Sequence, residues 1–174
     1  MCYQNQMLLP FCSPYKSIIT HCSPFANKNF DFSNLPKKTI LTPHYGELSK
    51  ILNISVSDLK NNTIEIISDI SHKLEDRILV LKGPNTLVAN GSGDIYIISN
   101  GNHLLSTAGS GDVLTGIIAS YVTFGYSLEE ASVLGVYIHA ECSKLLFSKG
   151  YENISATQII DVIPKVQFLL REGL

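Results

Sequence analysis

Ser106-Thr107-Ala108-Gly109-Ser110-Gly111-Asp112-Val113-Leu114-Thr115-Gly116 is a run of small residues that ends in a carboxylate where an apolar segment begins. Gly109 and Gly111 can adopt backbone angles closed to other residues, so successive N–H groups can converge ahead of a helix expected over residues 113–122. Such an anion hole, built from Ala108, Gly109, Ser110 and Gly111, has phosphate as its natural guest. Asp112 falls in the first helical turn, where the helix dipole favours its ionised form and keeps it able to accept a proton. A basic carboxylate beside a phosphate cradle points to phosphoryl transfer to a hydroxyl. The same residues also suit a tight strand-to-helix turn in which Asp112 only caps the helix. The rest of the chain decides between the two.

Upstream, Arg77-Ile78-Leu79-Val80-Leu81 is a continuous apolar run, as expected of a strand covered on both faces of a parallel sheet. It leads into Lys82-Gly83-Pro84-Asn85-Thr86, at the strand end where α/β sheets meet ligands. Lys82 could offset phosphate charge and Thr86 could hydrogen-bond an adenosine moiety, although taken alone the loop reads more readily as a Pro-Asn turn with a solvated lysine. Leu87-Val88-Ala89 and Asp94-Ile95-Tyr96-Ile97-Ile98 flank Asn90-Gly91-Ser92-Gly93, so a β-hairpin should separate the two candidate phosphate loops. Thr39-Ile40-Leu41 reads as a further strand and Thr42-Pro43-His44-Tyr45-Gly46 as a loop. A short helix follows over 47–52, and Ile64, Ile67, Ile70 and Leu74 mark one face of a longer one. His44 could reach a substrate from its strand-end loop or could cap the helix, and Glu47 suits a helix start. His21, His72 and His139 read as surface or interhelical residues.

The last third is helical. Ser127 with Glu130 and Ser155 with Gln158 each fit a capping box, and Ala131, Leu134, Gly135, Ile138, Cys142 and Leu145 share one face. Pro164 should bend the final helix or split it. Residues 1–38 show no sustained apolar period and form a poorly specified segment, whereas 39–174 read as one α/β unit.

At 174 residues, 45% hydrophobic and 16% charged, the chain can bury one core. A net charge of -2 with 13 scattered Lys and Arg argues against a nucleic-acid surface. No segment approaches the ~20 apolar residues that span a bilayer. The four cysteines lack zinc spacing, and a reducing cytoplasm suits them.

Taken in order, Thr42-Pro43-His44-Tyr45-Gly46-Glu47, Val80-Leu81-Lys82-Gly83 through Thr86, Asn100-Gly101-Asn102 and Thr107 to Gly116 resemble the ADP/ATP-dependent NAD(P)H-hydrate dehydratases. The resemblance runs from about Leu35 to Leu170 and includes Leu134-Gly135-Val136-Tyr137 and the proline of the last helix. It implies a ribokinase-like, three-layer α/β fold with a mostly parallel sheet, of which this chain holds the C-terminal portion. It also implies dehydration of hydrated NADH and NADPH, by phosphorylation of the ring hydroxyl and elimination of phosphate. By that likeness Asp112 is the base, and Lys82, Gly83, Pro84, Asn85, Thr86 and Gly111 bind ADP or ATP. His44 and Asp112 contact the hydrated cofactor, and Mg²⁺ accompanies the nucleotide with ligands unknown.

Tyr45 and His103 stand where the family commonly has proline, and residues 1–38 hold no counterpart of its longer N-terminal region. The central strands are therefore expected to lack neighbours, with a homo-oligomer forming through exposed sheet edge. Two other readings share these motifs: a ribokinase-like small-molecule kinase, and an inactive nucleotide-binding remnant. Pro43-His44-Tyr45-Gly46-Glu47 favours the dehydratase.

Overall fold

The computed structural model describes residues 8–9, 17–19 and 30–173. Its sheet is built on β3 (Thr39–Leu41) and β4 (Ile78–Leu81), two runs buried at every position. They pair in parallel, Ile40 beside Ile78 and Leu41 beside Leu79. β2 (Ser17–Ile19) joins β3 in parallel, and β1 (Leu8–Leu9) pairs antiparallel with β2. On the other side β5 (Thr86–Ala89) and β6 (Ile95–Ile98) continue from β4 as an antiparallel meander, so the order is β1-β2-β3-β4-β5-β6. The expected hairpin is thus present. Its turn is pinned by Asn90, whose Oδ1 accepts from the N–H groups of Ser92 (2.9 Å) and Asp94 (3.0 Å), while its Nδ2 donates to Glu129 (2.6 Å).

Two sequence expectations change here. β3 lies between β2 and β4, and β4 between β3 and β5, so the central strands do have neighbours. Part of the segment expected to be poorly specified is also built into the fold. It supplies β1, β2 and a 3-10 turn at Phe32–Asn34, and Phe32 and Leu35 are core residues. Arg77 fastens that turn to the start of β4. Only 2% exposed, it donates to the carbonyls of Leu35 (2.6 Å from Nη2), Ser33 (3.1 Å) and Leu74 (3.3 Å), and it meets the Glu75 carboxylate at 3.1 Å. A buried guanidinium requires such partners.

The period-two alternation of the strands divides the core. Leu41, Leu79, Leu81, Leu87 and Ala89 face α1 (Tyr45–Leu52), α2 (Val56–Asn61) and α3 (Thr63–Ser71). Ile40, Ile78, Val80 and Val88 face α4 (Ser110–Thr123) and α5 (Leu128–Ser148). α6 (Ala156–Glu172) packs outside α4 and α5 through Ile159, Val162 and Val166. Both capping boxes form as the sequence indicates. Among the α3 positions, Ile67 and Ile70 are buried, whereas Ile64 is 51% exposed and Leu74 lies beyond the helix end. α6 runs through Pro164 without a break. Among the described residues no helix is long and apolar enough to cross a membrane.

Candidate functional site

The parallel register of β3 and β4 continues past their ends. His44 and Lys82 form a parallel bridge, and the Lys82 N–H donates to the Pro43 carbonyl at 2.8 Å. Both residues therefore sit at the carboxyl edge of the parallel strands, where α/β sheets place ligands. His44 is also the N-cap of α1. Its Nδ1 accepts from the Glu47 N–H (3.1 Å), and its own N–H donates to Glu47 Oε2 (2.9 Å). Nδ1 is thus engaged as an acceptor, and Nε2, 3.7 Å from Glu47 Oε2 on a largely exposed side chain, is the nitrogen with no hydrogen bond among the described residues. Tyr45 lies against Gly83 so closely that a methyl group on Gly83 would come within 2.6 Å of the ring. The tyrosine thereby pairs the two strand-end loops.

The second loop ends in Gly109, whose φ of 81° lies in the left-handed region that suits glycine. This turn opens α4 without a side-chain cap. The Ser110 N–H bonds Thr107 O (3.3 Å), and the N–H groups of Asp112 and Val113 both bond Gly109 O (3.1 Å). Among the described residues Gly111 N–H meets no acceptor, and it sits at the positive end of a 14-residue helix. Lys82 reaches the same point, since a methyl group on Gly111 would lie 3.2 Å from Nζ. A lysine, an unpaired backbone donor and a helix N-terminus converge, which is the chemistry of phosphate binding.

These parts line one cleft of about 620 Å³, a volume that suits a nucleotide. Lys82, Gly83, Pro84, Thr86, Ser110, Gly111 and His44 all face it, so the two loops meet at one sheet edge as the sequence indicates. Among the other expected site residues, Asn85 and Ala108 are exposed outside the cleft lining. Gly109 and Asp112 open instead onto a groove of about 540 Å³ between α4 and α6, beside Gly116, Tyr121, Ile160 and Gln167. The Asp112 carboxylate is exposed at the helix end, one residue around the axis from Gly111.

Of the two places expected for His139, surface or interhelical, the structure gives the second, between α5 and α4, and adds that the ring reaches the cleft. It is 6% exposed and lines the cleft, with Nε2 3.1 Å from Ser110 Oγ. Burial, reinforced by the Lys82 charge, lowers its pKa to about 4, so the ring is neutral at neutral pH. The sequence carries a faint signal for this: Val136, His139 and Ala140 follow i, i+3, i+4 spacing and share the cleft wall. His103, also in the lining, stands edge-on to Phe147. The thiol of Cys142 is buried and pushed up to about 12, which makes it unreactive. Cys2, Cys12, Cys22 and His21 lie outside the described residues. Among the described residues no three His, Cys, Asp or Glu side chains gather as a metal cage.

The sequence model of a family described as NAD(P)H-hydrate dehydratase matches residues 22–165. A bifunctional NAD(P)H-hydrate repair enzyme of Dictyoglomus turgidum is 40% identical over 129 residues, 74% of this chain and 25% of that protein. The crystal structure of the Bacillus subtilis ADP/ATP-dependent NAD(P)H-hydrate dehydratase, co-crystallized with ATP/Mg²⁺, superposes with a TM-score of 0.71 at 30% identity. That superposition covers 76% of this chain and 49% of the other. A ribokinase-like superfamily protein of Enterococcus faecalis, 23% identical, shares the fold over 85% of this chain and 50% of its own, with a TM-score of 0.68. The chain thus spans half or less of the length of these relatives. By fold it is ribokinase-like, and by the family match across residues 22–165 this chain belongs to the NAD(P)H-hydrate dehydratase family.

Proposed function

We propose that this chain carries the nucleotide-binding side of an ADP/ATP-dependent dehydratase that restores hydrated NADH and NADPH. The observation that carries the reading is the meeting of Lys82 Nζ with the Gly111 end of α4 in a nucleotide-sized cleft. It is supported by the relatives, one of which is named for ADP/ATP-dependent NAD(P)H-hydrate dehydration and was crystallized with ATP/Mg²⁺.

In this reading the adenine nucleotide lies along the Lys82 to Thr86 loop, with its phosphates at Gly111 N–H and Lys82. The terminal phosphoryl group moves to the hydroxyl of the hydrated ring, and Asp112 accepts the hydroxyl proton. Phosphate then leaves as a neighbouring ring carbon loses a proton, which restores the double bond. The net result is loss of water from the hydrate and of one phosphate from the nucleotide. Mg²⁺ bound to the phosphates would offset the charge that develops on them. Among the described residues no three His, Cys, Asp or Glu side chains gather as a metal cage, and in this reading the ion would be held chiefly by phosphate oxygens and water. Asp112 stands on the α4–α6 side of the helix end, and His44 lines the cleft. The hydrated ring would therefore approach across the N-terminus of α4, with the nucleotide behind it.

Titration calorimetry with ATP and Mg²⁺ tests the reading. Saturable one-to-one binding is expected, weakened about tenfold or more in Lys82→Ala, because a charge-assisted contact contributes ~1.5–3 kcal/mol. Absence of binding, or equal affinity in wild type and Lys82→Ala, would overturn it.

A further inference from the structure

The hydroxyl of Ser110 and the ring of His139 form a buried pair, 3% and 6% exposed, inside the cleft wall. The Ser110 N–H is already spent on Thr107 O, so the side chain is what this residue can offer to a ligand. A hydroxyl has one proton. If His139 Nε2 were bare, that proton would be drawn into the ring and Ser110 would present only lone pairs to the cleft, which an anion repels. If Nε2 carries the ring proton, it donates to Oγ and the Ser110 O–H is released to point outward. The ring is neutral, so both tautomers are available, and an anion beside Lys82 and Gly111 selects the second.

We propose that His139 is a positioning residue for the phosphate chain, holding Ser110 Oγ through Nε2–H so that the serine hydroxyl donates to a phosphate oxygen. The inference rests on the reading of the cleft as the nucleotide site. It assigns Ser110 a side-chain role, and it ties α5 to ligand binding through Ser110.

Calorimetric titration of ATP with Mg²⁺ into wild type, Ser110→Ala, His139→Leu, His139→Gln and the Ser110→Ala/His139→Leu double variant tests it. Ser110→Ala and His139→Leu should each weaken binding about tenfold, as expected for a lost hydrogen bond to a charged group. The double variant should be no weaker than either single one, since both remove the same contact. His139→Gln, which keeps an N–H donor, should stay within about threefold of wild type. Additive losses, or a His139→Leu variant that binds like wild type, would overturn the proposal. If a thermal melt shows that His139→Leu does not fold, Ser110→Ala decides, and wild-type affinity there would overturn it. Failure of the wild type itself to bind ATP is a different result, which removes the nucleotide site and this inference with it.

Discussion

Asp112 and His139 flank the same helix turn and do opposite things with a proton. Asp112 is exposed in the first turn of α4, and in the proposed reaction it accepts one. Asp112→Asn keeps the shape of the side chain and removes that capacity. Single-turnover conversion of hydrated NADH should fall ~10²–10⁴-fold while ATP affinity stays within about twofold. A loss below about tenfold would mean that Asp112 only caps its helix. His139 is buried as a neutral ring, with a folded pKa of about 4 against an ordinary 6.5. Between these values the unfolded chain binds a proton that the folded chain refuses, so stability falls as pH drops from 6.5 towards 4. Urea unfolding should show a loss of up to ~1.4 kcal/mol per pH unit, roughly 3 kcal/mol in all, that is absent in His139→Gln. The glycines, Lys82 and the His44–Glu47 cap were legible because each has a local signature. His139 was not, because an isolated histidine on an apolar helix looks the same whether its ring faces a cleft or another helix. Arg77 was hidden too, since its partners Ser33 and Leu35 are more than 40 residues away.

Two helices set the position of the proposed phosphate site, and two glycines report how tightly they are held. At Gly135 on α5 an added methyl would lie 2.6 Å from Ile118 Cγ1 and 3.3 Å from its backbone on α4, whereas at Gly116 on α4 it would meet nothing within 4 Å. Gly135→Ala should therefore cost ~1–3 kcal/mol through overpacking. Gly116→Ala should add ~0.5–1 kcal/mol, from higher helix propensity and a less flexible unfolded chain. Urea denaturation of the two variants checks both signs. The elements themselves follow from nearby residues: capping boxes start α5 and α6, and Asn90 closes the hairpin through its own neighbours. β1 and β2 escaped the reading because two- and three-residue strands have no period to detect, and their pairing depends on the strand beside them. α2, six residues long, fell between the helices expected over 47–52 and along Ile64 to Leu74, and Asn62 at φ -123° separates it from α3.

Across the whole molecule one sheet edge is open at β6, where Ile97 is 57% and Tyr96 38% exposed. An exposed apolar edge strand invites pairing with a second copy. Sedimentation velocity should show self-association of the wild type that shifts to monomer in Ile97→Lys, and a monomeric wild type would contradict this. The fold class was legible because alternating strand and helix signals admit few architectures. The α4–α6 groove stands open beside Asp112, and the cleft with Lys82 and Gly111 is lined separately by residues of the two strand-end loops, α4 and α5. That division makes a crystal structure of the chain grown with ATP and Mg²⁺ the most direct measurement. The expected electron density places the adenine nucleotide along Lys82 to Thr86, with a phosphate oxygen in hydrogen-bond reach of Gly111 N–H and Lys82 Nζ. A nucleotide bound elsewhere, or an empty cleft at saturating ATP, would contradict the assignment of this site.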